Sequence, residues 1–178
     1  MVTTRNLPSR LHHTAYTTKD MEKTREFYEE VIGLPLVATW SESDELFGKV
    51  RTYCHCFFGL ADGGALAFFQ FADKDDEKTF SPPIAETPFH HIALKVDGMT
   101  QKEVEERIKA AGYTEPDSFV LEHGYCRSVY IKDPNGMLLE LTVDAPNSEQ
   151  IAKDRKADAH ATLKRWLGGD HTSNNRYR

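Results

Sequence analysis

Hydrophobic and polar positions follow one pattern along this chain, and that pattern occurs twice. The first copy, residues 9–72, predicts a short strand, a helix with apolar residues at every third or fourth position, and three more strands. The second copy, residues 88–145, has the same order. Two β-α-β-β-β segments in one chain indicate an internal duplication. The sequence therefore predicts an α+β fold in which these two modules form one domain, residues 9–145.

The expected boundaries of the two helices follow from capping residues. Asp20 is predicted to cap the first helix, and Gly33 to end it. The second helix is predicted to start at Thr100, where Glu103 completes a capping box, and to end at Gly112.

Two polar segments are expected to lack regular structure, and a third is expected to be a strand. Ser41 to Lys49 is predicted to be an acidic loop. Residues 72–88 contain three prolines and a run of charged residues, which favours a solvated linker or a lid. Tyr113 to Glu115 is expected to be a short strand.

Residues 146–178 form a C-terminal extension beyond the duplication. Ser148 is expected to cap a helix whose apolar stripe runs from Ile151 to Trp166. The stripe either packs on the outside of the domain or forms a dimer contact. The last nine residues are expected to be disordered.

Composition narrows the possible partners. The chain has 178 residues and a net charge of −6, which argues against a nucleic-acid-binding surface. No apolar run is long enough for a membrane span, and residues 1–10 lack the apolar core of a signal peptide.

The cysteines are odd in number and form no CxxC pair: Cys54, Cys56 and Cys126. We therefore expect free thiols and a cytoplasmic location.

Strand alternation predicts that three polar residues share one side of the fold. In the first strand of the second module, apolar residues alternate with His91, which therefore points to the concave side. The equivalent residue, 78 positions earlier, is His13. Glu140 alternates with leucines on the last strand and points to the same side. The repeated segments are Leu11-His12-His13-Thr14-Ala15-Tyr16 and Phe89-His90-His91-Ile92-Ala93-Leu94.

Two imidazoles and one carboxylate on one face predict a divalent metal site. A lone carboxylate in an apolar strand costs free energy unless another charge balances it. A metal held by His13, His91 and Glu140 would supply that charge and leave coordination positions open for substrate. His12 and His90 fall on the opposite face and are expected to be structural.

At this point the chain resembles the vicinal oxygen chelate superfamily. That superfamily includes glyoxalase I, fosfomycin-resistance thiol transferases, bleomycin-resistance binding proteins and type I extradiol catechol dioxygenases. The resemblance covers residues 9–145 and rests on the paired modules, the histidine on each first strand and the carboxylate on the last. It implies a curved mixed sheet around a metal cavity, a small-molecule substrate, and a homodimer or higher homo-oligomer.

Within the superfamily, the segment before Glu140 is most similar to the signature of the one-domain extradiol dioxygenases. That signature matches at His123, at Val129-Tyr130 and at the turn Asp133-Pro134-Asn135-Gly136. The resemblance implies ring cleavage of an aromatic diol by O₂ with Fe(II), or with Mn(II) in its place. It assigns acid–base catalysis to His123 and a hydrogen bond to substrate to Tyr130. The metal ligands would again be His13, His91 and Glu140.

Two positions depart from the patterns of the relatives. The dioxygenases usually carry a second active-site histidine at the start of the last strand of the first module, where this chain has Gly64; His55 on the neighbouring strand is a possible substitute. Glyoxalase I has a further carboxylate on that last strand, and here Phe68 is expected at the matching place, or Gln70 if the register differs by two residues.

Two other functional classes stay open. One is a non-oxidative lyase, isomerase or thiol transferase that uses the same three ligands with another divalent metal. The thiol transferases need an anion pocket, for which Lys95 and Ser128 are the candidates. The other class is a metal-free binding or resistance protein, which would have no need of Glu140.

Overall fold

The computed structural model describes residues 7–85 and 87–177, and these divide into two compact units. Unit 1 comprises Met1–His90 and Lys132–Met137; unit 2 comprises His91–Ile131 and Leu138–Arg178. The predicted α+β class and the two β-α-β-β-β repeats are confirmed, with four strands in each of two sheets. The absence of a signal peptide was predicted from residues 1–10. Of these, residues 1–6 lie outside the described residues. No helix in the described chain has the length and apolarity to cross a bilayer.

Unit 1 contains a four-stranded mixed sheet with the order β1-β4-β3-β2. Strand β1 is parallel to β4, whereas the other neighbours are antiparallel. The first helix, α1, continues directly as a π-helix. The elements are β1 His13–Thr17, α1 Met21–Glu26, the π-helix Phe27–Ile32, β2 Leu36–Leu46, β3 Lys49–Gly59, β4 Ala65–Phe71 and α2 Lys74–Phe80.

The core of unit 1 lies between the helix and one face of the sheet. The Tyr28 ring lies 5.1 Å from that of Phe58 and 5.0 Å from that of Phe68, and all three side chains are fully buried. The Tyr28 hydroxyl donates a 3.0 Å hydrogen bond to Asp133 Oδ2. Asp20 caps α1 as predicted, because its side chain accepts a hydrogen bond from the Lys23 backbone N–H.

The predicted turn at 133–136 also belongs to unit 1. Asp133 is buried and accepts hydrogen bonds from the backbone N–H groups of Asn135 and Met137, at 2.9 and 2.8 Å. Gly136 has φ +88°, so the turn does require the left-handed conformation that glycine adopts without strain. Burial raises the pKa of the Asp133 carboxyl, while these hydrogen bonds oppose the shift.

Unit 2 contains the second four-stranded sheet, with the order β5-β8-β7-β6. Strand β5 is parallel to β8, and β6 is antiparallel to β7. Val104 and Ile108 of the helix are buried, as are Leu139 and Leu141 of the last strand. The elements are β5 His91–Lys95, α3 Gly98–Ala110, β6 Ser118–Glu122, β7 Cys126–Lys132, β8 Leu138–Asp144 and α4 Ser148–Leu167.

The predicted start of the second helix was wrong by two residues. Helix α3 begins at Gly98, and its cap is Asp97, whose side chain accepts a 2.7 Å hydrogen bond from the Thr100 backbone N–H. Both Asp97 and Thr100 are residue types that cap helices, so the sequence alone does not choose between them. The strand expected at Tyr113 to Glu115 is also wrong, because this segment has turn and irregular conformation.

Two of the polar segments, Ser41 to Lys49 and residues 72–88, are more ordered than predicted. Strand β2 continues to Leu46 and pairs in register with β3 over this stretch. The Tyr53 hydroxyl on β3 lies 2.9 Å from Glu42 Oε2 and 2.7 Å from Asp44 Oδ2, and its one proton is available to either carboxylate. Within residues 72–88, Lys74–Phe80 form helix α2. Its Asp76 is buried and pairs with Arg51 at 3.1 Å, which balances the acidic charge of this helix.

The predicted C-terminal helix is confirmed as α4, but Ser148 is its first residue and the cap position is held by Asn147, whose side chain makes no capping hydrogen bond. Ile151 is buried, whereas Trp166 near the other end of the predicted stripe is 55% exposed. The expected disorder of the tail is not seen over residues 170–177, which contact the helix through bonds such as Arg176 Nη2 to Asp154 Oδ2 at 3.1 Å. The boundary predicted at residue 145 stays a prediction.

Candidate functional site

The predicted ligands His91 and Glu140 lie side by side in unit 2. Ala93, two residues after His91 on β5, is the register partner of Glu140 on β8, so the two side chains emerge from one face of the sheet. His91 Nε2 lies 3.0 Å from Glu140 Oε2. Glu140 is buried, while the His91 side chain is 33% exposed. The pair therefore opens to solvent on the imidazole side within this unit.

A serine on the neighbouring strand fixes the Glu140 carboxylate. Ser128 is fully buried on β7, and its hydroxyl donates a 2.5 Å hydrogen bond to Glu140 Oε1. This bond occupies one carboxylate oxygen and directs the other, Oε2, toward His91. Ser128 was considered in the sequence only as part of an anion pocket. Its even spacing from Tyr130 on the same strand is the signal that places both on one face.

This arrangement fits a divalent cation. Two donor atoms that each lie about 2.1 Å from one ion at a right angle are about 3.0 Å apart. The Nε2–Oε2 distance of 3.0 Å has this value, and it is also the distance of a direct hydrogen bond or ion pair between the two side chains. A cation there would also balance the charge of the buried carboxylate, which is otherwise costly to keep in an apolar strand.

His123 and Tyr130, the predicted catalytic pair, are in direct contact on the same face. His123 Nε2 and Tyr130 Oη share a hydrogen bond of 3.1 Å. The ring centroids of Tyr130 and His91 are 5.9 Å apart. Burial, together with the nearby Glu140 carboxylate, raises the pKa of Tyr130 to about 12. The Tyr130 phenol is therefore protonated at neutral pH and available as a hydrogen-bond donor.

The remaining predicted ligand, His13, belongs to unit 1. It lies on β1 and is exposed, and its Nδ1 shares a 2.8 Å hydrogen bond with Nδ1 of His12. His12 was expected to be structural on the opposite face; here it contacts the ring of His13. Because this contact uses Nδ1, the Nε2 atom of His13 is the nitrogen that would bind a metal.

His55 faces the same side of the unit 1 sheet as His13. Its ring stacks on Phe69 with a centroid distance of 3.6 Å and lies 6.3 Å from the ring of His13. His55 Nε2 is buried and has no hydrogen-bond partner among the described residues. Burial and the neighbouring His13 lower the pKa of His55. The substitution of His55 for a second active-site histidine stays a prediction.

The structure thus brings four of the five predicted residues together in unit 2: His91, His123, Tyr130 and Glu140. His13 is held in unit 1. Within either unit taken alone, the described residues contain no group of three His, Cys, Asp or Glu side chains arranged as a metal site. The three-ligand set is therefore still a proposal.

The position expected to match the extra carboxylate of glyoxalase I needs a correction. In unit 2, Glu140 is paired with Ala93, and the equivalent pair in unit 1 is Ala15 with Ala67. Ala67, rather than Phe68, therefore occupies the place that corresponds to Glu140. Phe68 is buried under the helix. Gln70 is not a substitute, because its Oε1 accepts a 3.0 Å hydrogen bond from the Met21 N–H.

Two more positions concern the dioxygenase and thiol-transferase hypotheses: Gly64 and Lys95. A Cβ atom at Gly64 would lie 3.0 Å from the backbone oxygen of Leu11, so a histidine does not fit there without a backbone shift. Lys95 pairs with Asp144 at 2.5 Å, and Ser128 is bonded to Glu140. The two candidates for an anion pocket are therefore both engaged elsewhere.

Comparison with known proteins identifies the family. Residues 10–141 match the model of the Glyoxalase/Bleomycin resistance protein/Dioxygenase superfamily. The chain belongs to this superfamily. It is 29% identical over 133 residues to a probable lactoylglutathione lyase of Vibrio parahaemolyticus, an alignment that covers 74% of this chain and 88% of that protein. It is 26% identical over 134 residues to the uncharacterized protein YwbC of Bacillus subtilis, covering 75% and 97%.

A solved structure shows the same fold. A mutant of the fosfomycin resistance protein FosX from Listeria monocytogenes, complexed with Mn(II) and 1S,2S-dihydroxypropylphosphonic acid, superimposes with a TM-score of 0.56. The two sequences are 24% identical, and the match covers 81% of this chain and 99% of FosX. This match shows the fold, and the family model over residues 10–141 confirms the superfamily assignment made from the sequence.

Proposed function

We propose that this chain is a divalent-metal-dependent enzyme that catalyses a non-oxidative reaction, as a lyase or isomerase, on a small molecule with two neighbouring oxygen atoms. The observation that carries the proposal is the 3.0 Å pair of His91 Nε2 and Glu140 Oε2, with the carboxylate held by Ser128. The similarity to a probable lactoylglutathione lyase supports the reaction class.

The proposed ligands are His91, Glu140 and His13, with Mn(II) or another divalent ion. Mn(II) is proposed because it is the ion in the FosX complex. When bound, the metal would polarise the oxygen atoms of the substrate and so acidify an adjacent C–H bond. His13 is proposed as the third ligand. We also propose a homodimer or higher homo-oligomer, as is typical of the superfamily.

The chain's own groups supply the proton transfers. Imidazole accepts and returns a proton efficiently near neutral pH, and His123 is the residue proposed for this step. Tyr130 stays protonated and donates a hydrogen bond to a substrate oxygen as negative charge develops there. Their 3.1 Å contact keeps the proton-transferring imidazole beside the hydrogen-bond donor.

Ala67 separates this site from that of glyoxalase I. Because this position holds alanine rather than a carboxylate, we propose that His123 transfers the proton in place of a second acidic residue, with Tyr130 as hydrogen-bond donor. We therefore propose a substrate related to, but distinct from, that of lactoylglutathione lyase.

The second candidate is the extradiol dioxygenase, with Fe(II), an aromatic diol and O₂. The observation in its favour is the hydrogen bond between His123 and Tyr130, two residues of the dioxygenase signature. Gly64 argues against it. The dioxygenases usually carry a histidine at this position, and in this chain a side chain there would meet the backbone of Leu11.

One anaerobic reconstitution distinguishes the two candidates. The purified protein is loaded with Mn(II) or Fe(II) and assayed with methylglyoxal plus glutathione, with related α-oxo and α-hydroxy carbonyl compounds, and with substituted catechols. We expect turnover of a carbonyl substrate at an unchanged rate without O₂. Catechol-dependent O₂ consumption with a coloured ring-fission product would instead establish the dioxygenase. The Glu140→Gln variant serves as the metal-free control for both assays.

A further inference from the structure

The C-terminal tail and helix α4 form a cavity in unit 2 that is partly open to solvent. Asn174 donates from Nδ2 to Thr162 Oγ1 at 3.4 Å, and Arg176 pairs with Asp154 at 3.1 Å, so the tail runs back along the helix. The cavity volume is about 380 Å³, which lies within the range of small-molecule sites. Its lining is mostly apolar and consists of Tyr125, Ile151, Arg155, Asn174, Asn175 and Tyr177.

Arg155 presents an unused hydrogen-bond donor at this cavity. Its Nη1 reaches the backbone oxygen of Asn174 at 3.5 Å, and its Nη2 pairs with Asp158 at 3.1 Å. Its Nε is buried and meets no acceptor within the described parts of the chain. A buried N–H group without an acceptor is unfavourable, and a guanidinium N–H binds best to a carboxylate oxygen.

We propose that this cavity binds a small organic acid, with an apolar body between the tyrosines and its carboxylate on Arg155 Nε. The apolar lining favours a hydrocarbon or aromatic body, because burying such a group against tyrosine and isoleucine side chains is favourable. The side-chain amides of Asn174 and Asn175 can donate to the second carboxylate oxygen. The volume accommodates one six-membered ring with a short substituent.

The cavity adjoins the proposed catalytic residues but does not depend on them. The ring of Tyr125, which lines it, stacks on the ring of His123 with a centroid distance of 5.7 Å. A bound acid therefore contacts the residue that packs on His123. The extension that builds most of the cavity lies beyond residues 10–141, the part of the chain that matches the superfamily. Binding here requires neither a metal nor turnover.

Benzoate is a suitable probe, with benzamide as its uncharged analogue of similar shape. The full-length, metal-free protein is titrated with each compound by NMR, and the ring signals of His123 are assigned with a His123→Gln variant. We expect saturable benzoate binding that shifts the His123 signals, with benzamide at least 10-fold weaker. Equal binding of the two compounds, or no saturation with benzoate, would overturn the proposal.

Two arginine variants test the assigned donor. Arg155→Gln is expected to weaken benzoate binding at least 10-fold. Arg165→Gln is the matched control, because Arg165 also holds the tail, through Thr172 at 2.7 Å and Asp170 at 3.5 Å, without lining the cavity. It is expected to bind benzoate as the parent does. Unchanged binding by Arg155→Gln, or the same loss in both variants, would contradict the role of Arg155.

Discussion

Ser128 Oγ donates a hydrogen bond of 2.5 Å to Glu140 Oε1 across two neighbouring strands of unit 2. The serine is fully buried and makes a second contact to Thr142 Oγ1 at 3.2 Å. These contacts hold the carboxylate in one orientation, with Oε2 beside His91. A pre-oriented carboxylate binds a metal more tightly because less rotational freedom is lost on binding.

Replacing Ser128 with alanine should therefore weaken metal binding without abolishing it. Loss of an outer hydrogen bond to a ligating group typically costs about 10–100-fold in metal affinity. Isothermal titration of the apoprotein with Mn(II) measures the change, and Ser118→Ala on β6 is the control. An affinity unchanged in Ser128→Ala would show that the serine does not position the carboxylate for a metal.

The ligand set makes a prediction about thermal stability. A ligand present at 100 times its dissociation constant stabilises a protein by about 2.7 kcal/mol, or about 5–10 °C in Tm for a chain of this size. Mn(II) should give such a shift in the parent protein, and chelation with EDTA should reverse it. The shift should disappear in Glu140→Gln and His91→Gln, while the exposed Glu103→Gln retains it.

His13 is tested separately because it lies in unit 1. If it is the third ligand, His13→Gln should lower the Mn(II) affinity at least 100-fold, as His91→Gln does. His12→Gln is the neighbouring control. Its Mn(II) affinity should fall much less, since the His12 imidazole bonds to Nδ1 of His13 and the metal is proposed to bind Nε2. Full Mn(II) affinity in His13→Gln would remove His13 from the ligand set.

His123 and Tyr130 are expected to affect turnover rather than metal binding. His123→Phe should lower kcat by about 10²–10⁴-fold, the usual contribution of general acid–base catalysis. Because the pKa of Tyr130 is raised to about 12, its phenol stays protonated between pH 6 and pH 9. Tyr130→Phe should therefore lower kcat but leave the shape of the pH–rate profile in that interval unchanged. If the pH–rate profile of Tyr130→Phe no longer fell on one side of its maximum, Tyr130 would be the titrating group.

The buried contact between Tyr28 and Asp133 makes a prediction about unfolding. Tyr28→Phe removes a hydrogen bond to the carboxylate and should lower the free energy of unfolding by about 1–3 kcal/mol at pH 7. Burial raises the pKa of Asp133, and the Tyr28 hydroxyl opposes this shift. In Tyr28→Phe, the pKa of Asp133 in the folded protein rises further above its value in the unfolded chain. Ionising Asp133 therefore costs the folded variant more free energy than it costs the folded parent. The loss of stability should therefore grow as pH rises above the ordinary carboxyl range, which urea titrations at pH 4 and pH 7 would detect.

Much of the fold could be predicted because its signals are local. The repeated segments around His13 and His91, the caps and the hairpin turn all act within a few residues along the chain. The errors occurred where distant contacts overrule local preference. Strand β2 continues through acidic residues that pair in register with β3, and the buried Asp76 of α2 pairs with Arg51 on β3.

The candidate site shows the same division. Strand alternation placed Glu140 and His91 on one face, because neighbouring side chains of a strand must point to opposite sides. It could not identify Ser128 as the partner of Glu140, since that contact depends on β7 lying next to β8. Nor could it locate Ala67, because the offset between the last strands of the two modules differs from that between their first strands.

The sequence by itself determined the duplication, the superfamily and the identity of the polar residues on the open faces of the two sheets, since each follows from residue order and a two-residue period. Only the tertiary structure decided which of those residues touch. It paired His91 with Glu140, joined His123 to Tyr130, put alanine opposite Ala15, and formed a cavity beside the C-terminal tail. Strand order, strand register and the path of a chain terminus are set by packing between distant segments, and no short stretch of sequence encodes them.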